Sequence, residues 1–392
     1  MHGSRCAKIP EGGRVRGRTP LGSDGGERLK TRAALFHAVG EPLEVVELDL
    51  DDPRPHEVVV RMTAVGICGT DLHQVKGEFR RPTPMVLGHE GAGVVEEVGN
   101  AVASLRVGDE VVLSWAPSCG VCAGCRRGRP ATCKPLNAAI PNGTLPDGTT
   151  GMSYRGATVY RGTATGCLAE RVVVTEQVAL PLRAAVPLDQ AALLGCAVLT
   201  GVGAVLYAAH VTPGASVLVI GAGGVGQFVV QGARIAGAGA IVACDPVPAR
   251  LDAARIAGAT HVAVPDDLRE LLRSELPDGA DFAFDAVGYP ETVETALRST
   301  RDGGTTVIVG LPPQGLRLDL DPFELIRKEK RLTGTLYGSE DPAVSLPAML
   351  EHVQAGRLEL AGSLGPSFPL DRVDDAVNAS LAGEAGRVIV VP

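Results

Sequence analysis

Basic residues are in short supply in this chain of 392 residues, where 37 Lys and Arg stand against 45 Asp and Glu, a formal net charge of −8. A protein that neutralises nucleic-acid phosphates carries a basic excess or a basic stripe, so we exclude a nucleic-acid-binding function. Aromatic residues are also rare, at 3% with a single Trp. Hydrophobic residues nevertheless make up 45% of the chain, which excludes wholesale disorder.

The N-terminus lacks the apolar segment of a secretory leader. Residues 1–30 are rich in Gly and Arg and show no periodicity, so we predict a disordered N-terminal extension and a cytoplasmic protein. Glycine is in excess over the whole chain, with 50 residues. No Gly-X-Y repeat is present, which excludes collagen and leaves tight turns and close backbone approaches as the explanation. The length predicts roughly two to three domains.

One uncharged run, AALLGCAVLTGVGAVLYAA at 191–209, is long enough to cross a bilayer. We interpret it as a buried helix, because no polybasic flank marks a cytoplasmic end and Pro213-Gly214 follows closely. The sequence therefore predicts no membrane association.

The chain changes character near residue 198. Short apolar runs before it predict strands at 57–65, 92–98 and 109–114, and 115–165 reads as a long loop that a metal or a function would order. After it, strand patterns alternate with helix patterns at short spacing. The predicted strands are 216–220, 241–244, 261–264, 281–285 and 305–310, and the predicted helices are 249–257, 267–276 and 291–299. This alternation predicts an α/β fold with a doubly wound parallel sheet.

A dinucleotide fingerprint follows the first strand of that alternation. Gly221, Gly223 and Gly226 form G-x-G-x-x-G, a pattern in which glycines allow the tight turn, the approach of a pyrophosphate and close helix–strand packing. Asp245 ends the next strand, where a carboxylate accepts hydrogen bonds from ribose hydroxyls and repels a 2′-phosphate. NAD is therefore predicted over NADP. Arg250 either flanks the adenosine or is a solvated helix charge.

Four cysteines lie within one short stretch of the predicted loop: Cys119, Cys122, Cys125 and Cys133. Four thiolates at this spacing can enclose one tetrahedral Zn²⁺ with no open position, which makes the site structural. The alternatives, a redox CxxC and an iron–sulfur cluster, fit less well because neither a thioredoxin-like pattern nor a ferredoxin spacing is present.

A second group is dispersed along the chain. Cys68 lies in G-I-C-G-T-D-L-H, His89 in G-H-E and Cys196 in L-G-C-A-V-L-T-G. Two Cys and one His form a catalytic zinc set that leaves a fourth position open. Each residue by itself is also compatible with an ordinary buried position, and the sequence alone does not show that the three converge.

These motifs together resemble the zinc-dependent medium-chain alcohol dehydrogenases, over about residues 31–392. The shared features are G-H-E at 88–90, the four-cysteine loop, G-C-x-x-x-T-G at 195–201 and G-A-G-G-V-G at 221–226. The resemblance implies a GroES-like catalytic domain, with the structural zinc loop, and a Rossmann NAD-binding domain. It places the catalytic domain at 31–197 and 338–392 and the Rossmann domain at 198–337. Because the loop at 134–165 is similar to that of the long-loop class, a homodimer is expected, with a tetramer as the alternative.

The resemblance also implies residue roles. Cys68, His89 and Cys196 would hold the catalytic zinc, with Asp71 orienting His89 and Glu90 near the metal. Thr70 would take the proton of the substrate hydroxyl and pass it through the nicotinamide ribose to His73. The further cofactor and pocket positions that the resemblance implies are Thr200, Gly224, Val225 and Arg387 for NAD, and Phe79 and Trp115 for the substrate. Two zinc ions per chain and NAD(H) are expected.

The implied activity is interconversion of an alcohol and an aldehyde or ketone, and the two pocket aromatics favour an apolar or aromatic substrate. Gly69 stands where some relatives carry a cation for the pyrophosphate. Phe79 and Asn137 replace the charges with which glutathione-dependent relatives bind their adduct, so we do not expect that activity. The alternatives are a dehydrogenase that holds NAD permanently, a reductase of an activated C=C or C=N bond, and a non-catalytic dinucleotide-binding protein, which intact zinc ligands disfavour.

Overall fold

The computed structural model describes residues 29–392, so all but the last two residues of the predicted extension 1–30 lie outside the described residues. Leu29 and Lys30 already belong to the first strand. The nineteen strands within the described residues are β1 (Leu29–Phe36), β2 (Glu44–Leu50), β3 (Glu57–Gly66), β4 (Met85–Val86), β5 (Glu90–Val98), β6 (Glu110–Leu113), β7 (Met152–Tyr154), β8 (Ala157–Thr158), β9 (Tyr160–Arg161), β10 (Arg171–Thr175), β11 (Ala179–Pro181), β12 (Ser216–Ile220), β13 (Ala240–Cys244), β14 (His261–Ala263), β15 (Ala280–Asp285), β16 (Thr300–Ile308), β17 (Arg331–Gly334), β18 (Leu364–Pro369) and β19 (Arg387–Val391).

Twelve α-helices connect these strands within the same residues. They are α1 (Gly69–Val75), α2 (Ala123–Arg126), α3 (Lys134–Asn142), α4 (Leu188–Ala191), α5 (Ala197–Gly203), α6 (Gly226–Ile235), α7 (Pro248–Ala257), α8 (Pro265–Glu275), α9 (Pro290–Ser299), α10 (Pro322–Arg327), α11 (Pro342–Gln354) and α12 (Val373–Leu381). The long loop predicted at 115–165 is therefore wrong in part. Proline at the second position of α3 starts a helix directly after Cys133, because proline is already set for the first helical turn.

Two mostly antiparallel sheets form the part that surrounds the candidate site. One has the order β8-β7-β2-β1-β4-β9, and the other contains β11-β6-β5-β3-β19-β18 with β10 also paired to β3. The C-terminal strand β19 pairs with β3, so the end of the chain returns to its first half. Their inward residues share one core that includes Leu35, Val60 and Val390.

The third sheet is parallel and has the order β14-β13-β12-β15-β16-β17. This is the doubly wound order in which the crevice lies where the direction of winding reverses, between β12 and β15. Ile220 at the end of β12 pairs with Cys244 on one side and Asp285 on the other. The glycine-rich turn after Ile220 consequently opens at that crevice.

The apolar run at 191–209 is broken into short helical pieces. A 3-10 turn ends at Gly195, α5 follows, and a π turn spans Ala204–Ala208. Within the described residues no single helix meets the length and hydropathy of a membrane span, although the pair Leu188–Gly195 and Ala197–Ala208, bent by 52°, meets them together. Most of the run is packed in the interior, with Leu193, Leu194 and Val198 fully buried.

Candidate active site

The dispersed cysteines and histidine converge. One ligand atom from each of Cys68, His89 and Cys196 lies within 4.8 Å of the other two, and the three residues are only 7%, 1% and 6% exposed. Strand pairing produces this meeting, because Gly66 in β3 lies opposite Glu90 in β5. Cys68 and His89 therefore leave adjacent strand ends, and Cys196 enters from the turn before α5.

Asp71 ties two of these segments together from a buried position in the first turn of α1. One of its carboxylate oxygens accepts from the backbone N–H of Cys68 at 3.0 Å. The other accepts from the backbone N–H of Gly88 at 3.0 Å and lies 3.3 Å from Nδ1 of His89. This contact assigns the ring proton to Nδ1 and leaves Nε2 free to bind a metal.

The contact between the two thiols displaces their pKa values in opposite directions. A hydrogen bond from Cys196, together with the positive charges of Arg387 and His89, holds the pKa of Cys68 well below its usual range in spite of burial. The same hydrogen bond and burial raise the pKa of Cys196 well above its usual range. Burial disfavours a charged His89, yet the carboxylate of Asp71 raises the pKa of that imidazole.

Glu90 and Arg387 lie beside these thiols. Arg387 Nε is 2.9 Å from Glu90 Oε1, in an orientation that does not form a hydrogen bond. Burial raises the pKa of Glu90 to about 7, against the lowering effect of the Arg387 charge. A methyl group on Gly66 would lie 2.6 Å from Glu90 Oε1, so a glycine in β3 gives this carboxylate its space.

The donor set fits zinc. Two sulfurs and one imidazole nitrogen in a dry site are the ligands that zinc accepts at a catalytic centre with an open fourth position. The ligand atoms lie within 4.8 Å of one another, and the pKa values of the two thiols are displaced in opposite directions by their mutual contact. A divalent cation would take both cysteines as thiolates and remove that conflict.

The four-cysteine group also converges, on an exposed lobe. The four sulfurs lie within 4.8 Å of one another, and backbone N–H groups at 3.4 Å point at the sulfurs of Cys119 and Cys133. Backbone hydrogen bonds from Cys125 and Lys134 lower the pKa of Cys122 to about 6, whereas burial and the Cys122 contact raise the pKa of Cys125 to about 11. Four sulfurs leave no position for a substrate, so this set fits a structural zinc.

The glycine-rich turn has the shape of a phosphate cradle. Gly221 has φ +88, and a methyl group on Gly226 would lie 1.8 Å from the carbonyl oxygen of Gly221. Space is open above Gly223, with no atom within 4 Å of its would-be Cβ. Gly224 faces the guanidinium of Arg387, whose Cζ would be 3.0 Å from a methyl group there.

Arg387 therefore bridges the two halves of the site. Its Nη1 donates to the carbonyl of Ile67 at 3.1 Å, and its buried Nη2 has no hydrogen-bond partner among the described residues. An unpartnered, buried guanidinium nitrogen beside a glycine turn fits the negative charge of a pyrophosphate.

Asp245 is 2% exposed at the end of β13. Its oxygens accept from the backbone N–H groups of Ala222 and Val247, each at 2.9 Å, and Arg250 Nη1 lies 3.7 Å away. A carboxylate has about four lone-pair sites, so two remain for ribose hydroxyls. Asp245 thus holds the glycine turn through Ala222, and Arg250 lies beside this carboxylate.

Comparison with known proteins decides the family. A family model described as an alcohol dehydrogenase GroES-like domain matches residues 54–184, and one described as a zinc-binding dehydrogenase matches residues 224–355. S-(hydroxymethyl)glutathione dehydrogenase of Escherichia coli O157:H7 is 36% identical over 368 residues, which are 92% of this chain and 100% of that protein. The chain belongs to the zinc-dependent medium-chain alcohol dehydrogenase family.

Solved structures agree with this assignment. The alcohol dehydrogenase zinc-binding domain protein from Burkholderia ambifaria has a TM-score of 0.88 and 33% identity, covering 93% of this chain and 100% of that chain. Benzyl alcohol dehydrogenase from Acinetobacter calcoaceticus has a TM-score of 0.87 and 30% identity, covering 93% and 99%. The predicted family, the α/β fold with its GroES-like and Rossmann domains, the enzyme class and the zinc and nicotinamide cofactors are confirmed.

The remaining predicted residues of this dehydrogenase lie in and after α1, beside His89, and at the start of the coenzyme half. Thr70 and His73 are three residues apart on α1 and therefore share a face of that helix. Trp115 meets the His89 ring edge-on at 6.4 Å between centroids, and Phe79 packs on His73 at 4.9 Å. The other two predicted cofactor positions lie at the start of the coenzyme half, Thr200 in α5 and Val225 at the N-cap of α6.

Two residues of the site were missed by the sequence reasoning. Tyr337 is fully enclosed and its hydroxyl donates to the carbonyl of Gly195 at 2.5 Å, directly before Cys196. Its ring lies 4.8 Å from that of Trp115. Glu78 is hydrogen-bonded to Nδ1 of His73. No motif in the sequence marks Tyr337. Glu78 follows His73 by five residues across a turn, and this spacing could have predicted their contact.

Proposed function

We propose that this enzyme interconverts an alcohol and an aldehyde or ketone with NAD(H), using Cys68, His89 and Cys196 as the zinc ligands. The convergence of these three buried side chains beside the glycine turn is the observation that carries the proposal. When bound, zinc supplies the Lewis acidity that favours loss of the alcohol proton, and the nicotinamide supplies the hydride acceptor.

The chain's own side chains then have three tasks. Thr70 accepts the proton of the substrate hydroxyl, and His73 takes it toward solvent from one turn further along α1. Trp115 and Phe79, at 8% and 6% exposure, exclude water from the reacting atoms. Arg387 binds the phosphates of the coenzyme through Nη2, which has no hydrogen-bond partner among the described residues. Position 69 is glycine and supplies no second cation.

The carboxylate of Asp245 supports NAD over NADP. Its two oxygens accept hydrogen bonds from the backbone N–H groups of Ala222 and Val247. Its negative charge would repel a 2′-phosphate. The positive charge of Arg250 at 3.7 Å is engaged by the same carboxylate, so it does not offer an independent phosphate site.

We further propose an apolar or aromatic substrate. Trp115 and Phe79 supply an apolar lining, and one relative of similar fold is a benzyl alcohol dehydrogenase. The glutathione-adduct activity of the curated relatives is not expected here, because Phe79 is apolar and Asn137 is occupied. The Asn137 amide donates to the carbonyls of Ala131 and Cys133 at 3.1 and 2.9 Å within the zinc lobe.

Within residues 29–392, one edge of the parallel sheet has no partner strand, which supports a homodimer. Strand β17 lies at that edge, and the segment before it exposes five large apolar side chains: Leu311, Leu316, Leu320, Phe323 and Ile326. An unpaired strand edge beside exposed apolar residues favours pairing with a second copy. Light scattering of wild-type and Phe323→Asp protein tests this, with a dimer expected for the first and a shift to monomer for the second. The alternative, a tetramer, would give twice the dimer mass in the same measurement.

We also propose a cytoplasmic location, because thiol ligands stay reduced there.

One experiment tests the proposed function. Purified enzyme is screened against alcohols and aldehydes with NAD(H), with and without a chelator, beside Cys68→Ser. Turnover of an apolar alcohol that both the chelator and the substitution abolish is expected, while the variant still binds NAD. Wild-type turnover by Cys68→Ser would refute zinc chemistry at this centre, and a coenzyme absorbance that persists through purification would indicate permanently bound NAD.

A further inference from the structure

The imidazole of His73 is held on two sides by residues that follow it. Its Nδ1 is hydrogen-bonded to a carboxylate oxygen of Glu78, and the ring of Phe79 packs on it at 4.9 Å and 36°. The backbone N–H of Glu78 donates to the carbonyl of His73 at 2.9 Å. The turn after α1 thereby fixes the carboxylate against one particular ring nitrogen.

The same turn is held from the coenzyme half of the molecule. The backbone N–H of Gln314 donates to the carbonyl of Glu78 at 3.4 Å, and the amide oxygen of Gln314 accepts from the backbone N–H of Arg80 at 3.5 Å. Gln314 follows β16, near the carboxyl ends of the parallel strands where the coenzyme binds. Glu78 is therefore located by both halves and lies at their seam.

We propose that Glu78 is a positioning residue that selects the tautomer of His73 and completes the proton path to solvent. The proposal rests on the proposed function, in which His73 takes the substrate proton from Thr70. With Nδ1–H donated to Glu78, Nε2 is the nitrogen with a free lone pair. A proton that arrives at Nε2 gives an imidazolium, and its Nδ1 proton leaves through the carboxylate to water. Exchange with water, in which Nε2 loses a proton and Nδ1 regains one, then restores the Nδ1–H tautomer for the next turnover.

The exposure of the pair suits such an exit. The His73 side chain is 16% exposed and that of Glu78 is 25% exposed, so the ring is shielded while its partner reaches solvent. The guanidinium of Arg81 lies 5.7 Å from the centroid of the Phe79 ring. Among the described residues, the carboxylate of Glu78 is the charged group that is hydrogen-bonded to the imidazole.

The chain supplies a matched control pair on its surface. His37 Nε2 lies 2.8 Å from Glu44 Oε2, with the two side chains 33% and 56% exposed. This pair has the same chemistry but belongs to no part of the proposed site. Glu44→Gln therefore reports what the loss of one histidine–carboxylate contact does to the enzyme in general.

The test compares wild type, Glu78→Gln, Glu44→Gln and His73→Gln in alcohol oxidation at saturating NAD, over a series of concentrations of a tertiary-amine buffer, which does not bind zinc. Positioned general acid–base groups contribute about 10²–10⁴-fold to rate, and we expect Glu78→Gln to lose about tenfold in kcat with an unchanged Kd for NAD. Added buffer base should restore part of that rate, while wild type and Glu44→Gln stay independent of buffer concentration. ¹⁵N-histidine NMR should show the Nδ1–H tautomer of neutral His73 in wild type and a mixture in Glu78→Gln.

Three results would overturn the proposal. One is a Glu78→Gln enzyme with wild-type kcat. Another is a slowed variant that the buffer base does not rescue and that binds NAD weakly, which would mean a structural defect only. The third is a His73→Gln enzyme with wild-type kcat, which would remove the relay on which Glu78 acts. Chelator-sensitive alcohol turnover would leave the proposed function standing in the first two cases; in the third it would leave the zinc chemistry standing and remove only the role of His73.

Discussion

Replacing Asp71 by asparagine is expected to weaken zinc binding at Cys68, His89 and Cys196 without removing any ligand. The carboxylate accepts from the backbone N–H groups of Cys68 and Gly88 and contacts the ring of His89. An asparagine keeps the shape but turns one acceptor into an NH₂ donor. That donor must face either the Cys68 N–H or the pair formed by Gly88 and His89.

The magnitude follows from these contacts. Loss of one charge-assisted hydrogen bond costs about 1.5–3 kcal/mol, and a stranded buried N–H costs about 1–3 kcal/mol. We therefore expect the free energy of unfolding to fall by about 3 kcal/mol. Loss of a group that orients a metal-binding histidine weakens metal affinity by about 10- to 100-fold, which corresponds to about 1.4–2.7 kcal/mol.

The assay is zinc competition with a chromogenic chelator, run together with thermal unfolding. Asp281→Asn is the matched control, because Asp281 also accepts three hydrogen bonds, from the N–H and hydroxyl of Ser216 and from Arg301. The control should lose stability but keep the zinc affinity of the catalytic site. A zinc-competition midpoint for Asp71→Asn equal to wild type would refute the assigned role of Asp71.

Three further outcomes are expected. Metal analysis of the purified enzyme should give two zinc ions per chain, since two donor sets converge, and one or none would contradict the two-site assignment. Cys119→Ser should chiefly lower stability, because a structural zinc orders the loop that binds it. Trypsin should then cleave faster at the exposed Arg126 and Arg127. An unchanged cleavage rate would count against a structural zinc. Asp245→Ala should lower the KM for NADP, because the carboxylate no longer repels the 2′-phosphate. It should also reduce stability by about 2 kcal/mol or more, because two backbone N–H groups lose their acceptor. An unchanged ratio of the KM values for NAD and NADP would mean that Asp245 does not contact the ribose.

Elements whose signals are local were predictable from the sequence. The strand predicted at 216–220 matches β12 in both bounds, and the glycine turn after it needs only residues that are neighbours along the chain. The zinc lobe is similar, since its four thiols lie within one short segment. Helix α3, in the same segment, was not predicted. Its two prolines and its place after a metal-binding cysteine favoured a loop in the sequence analysis, whereas in the structure the helix begins directly after Cys133.

The amino-acid sequence by itself determined the alternation of strands and helices, the phosphate turn and the four-thiol lobe, because each depends on spacing within a few tens of residues. Only the tertiary structure decided that Cys68, His89 and Cys196 share one centre, that Arg387 lies between Glu90 and the glycine turn, and that Glu78 faces His73. Sheet register is the physical reason. Pairing of β3 with both β5 and β19 sets Gly66 beside Glu90 and Ile389, and residues far apart along the chain meet at the ends of those strands.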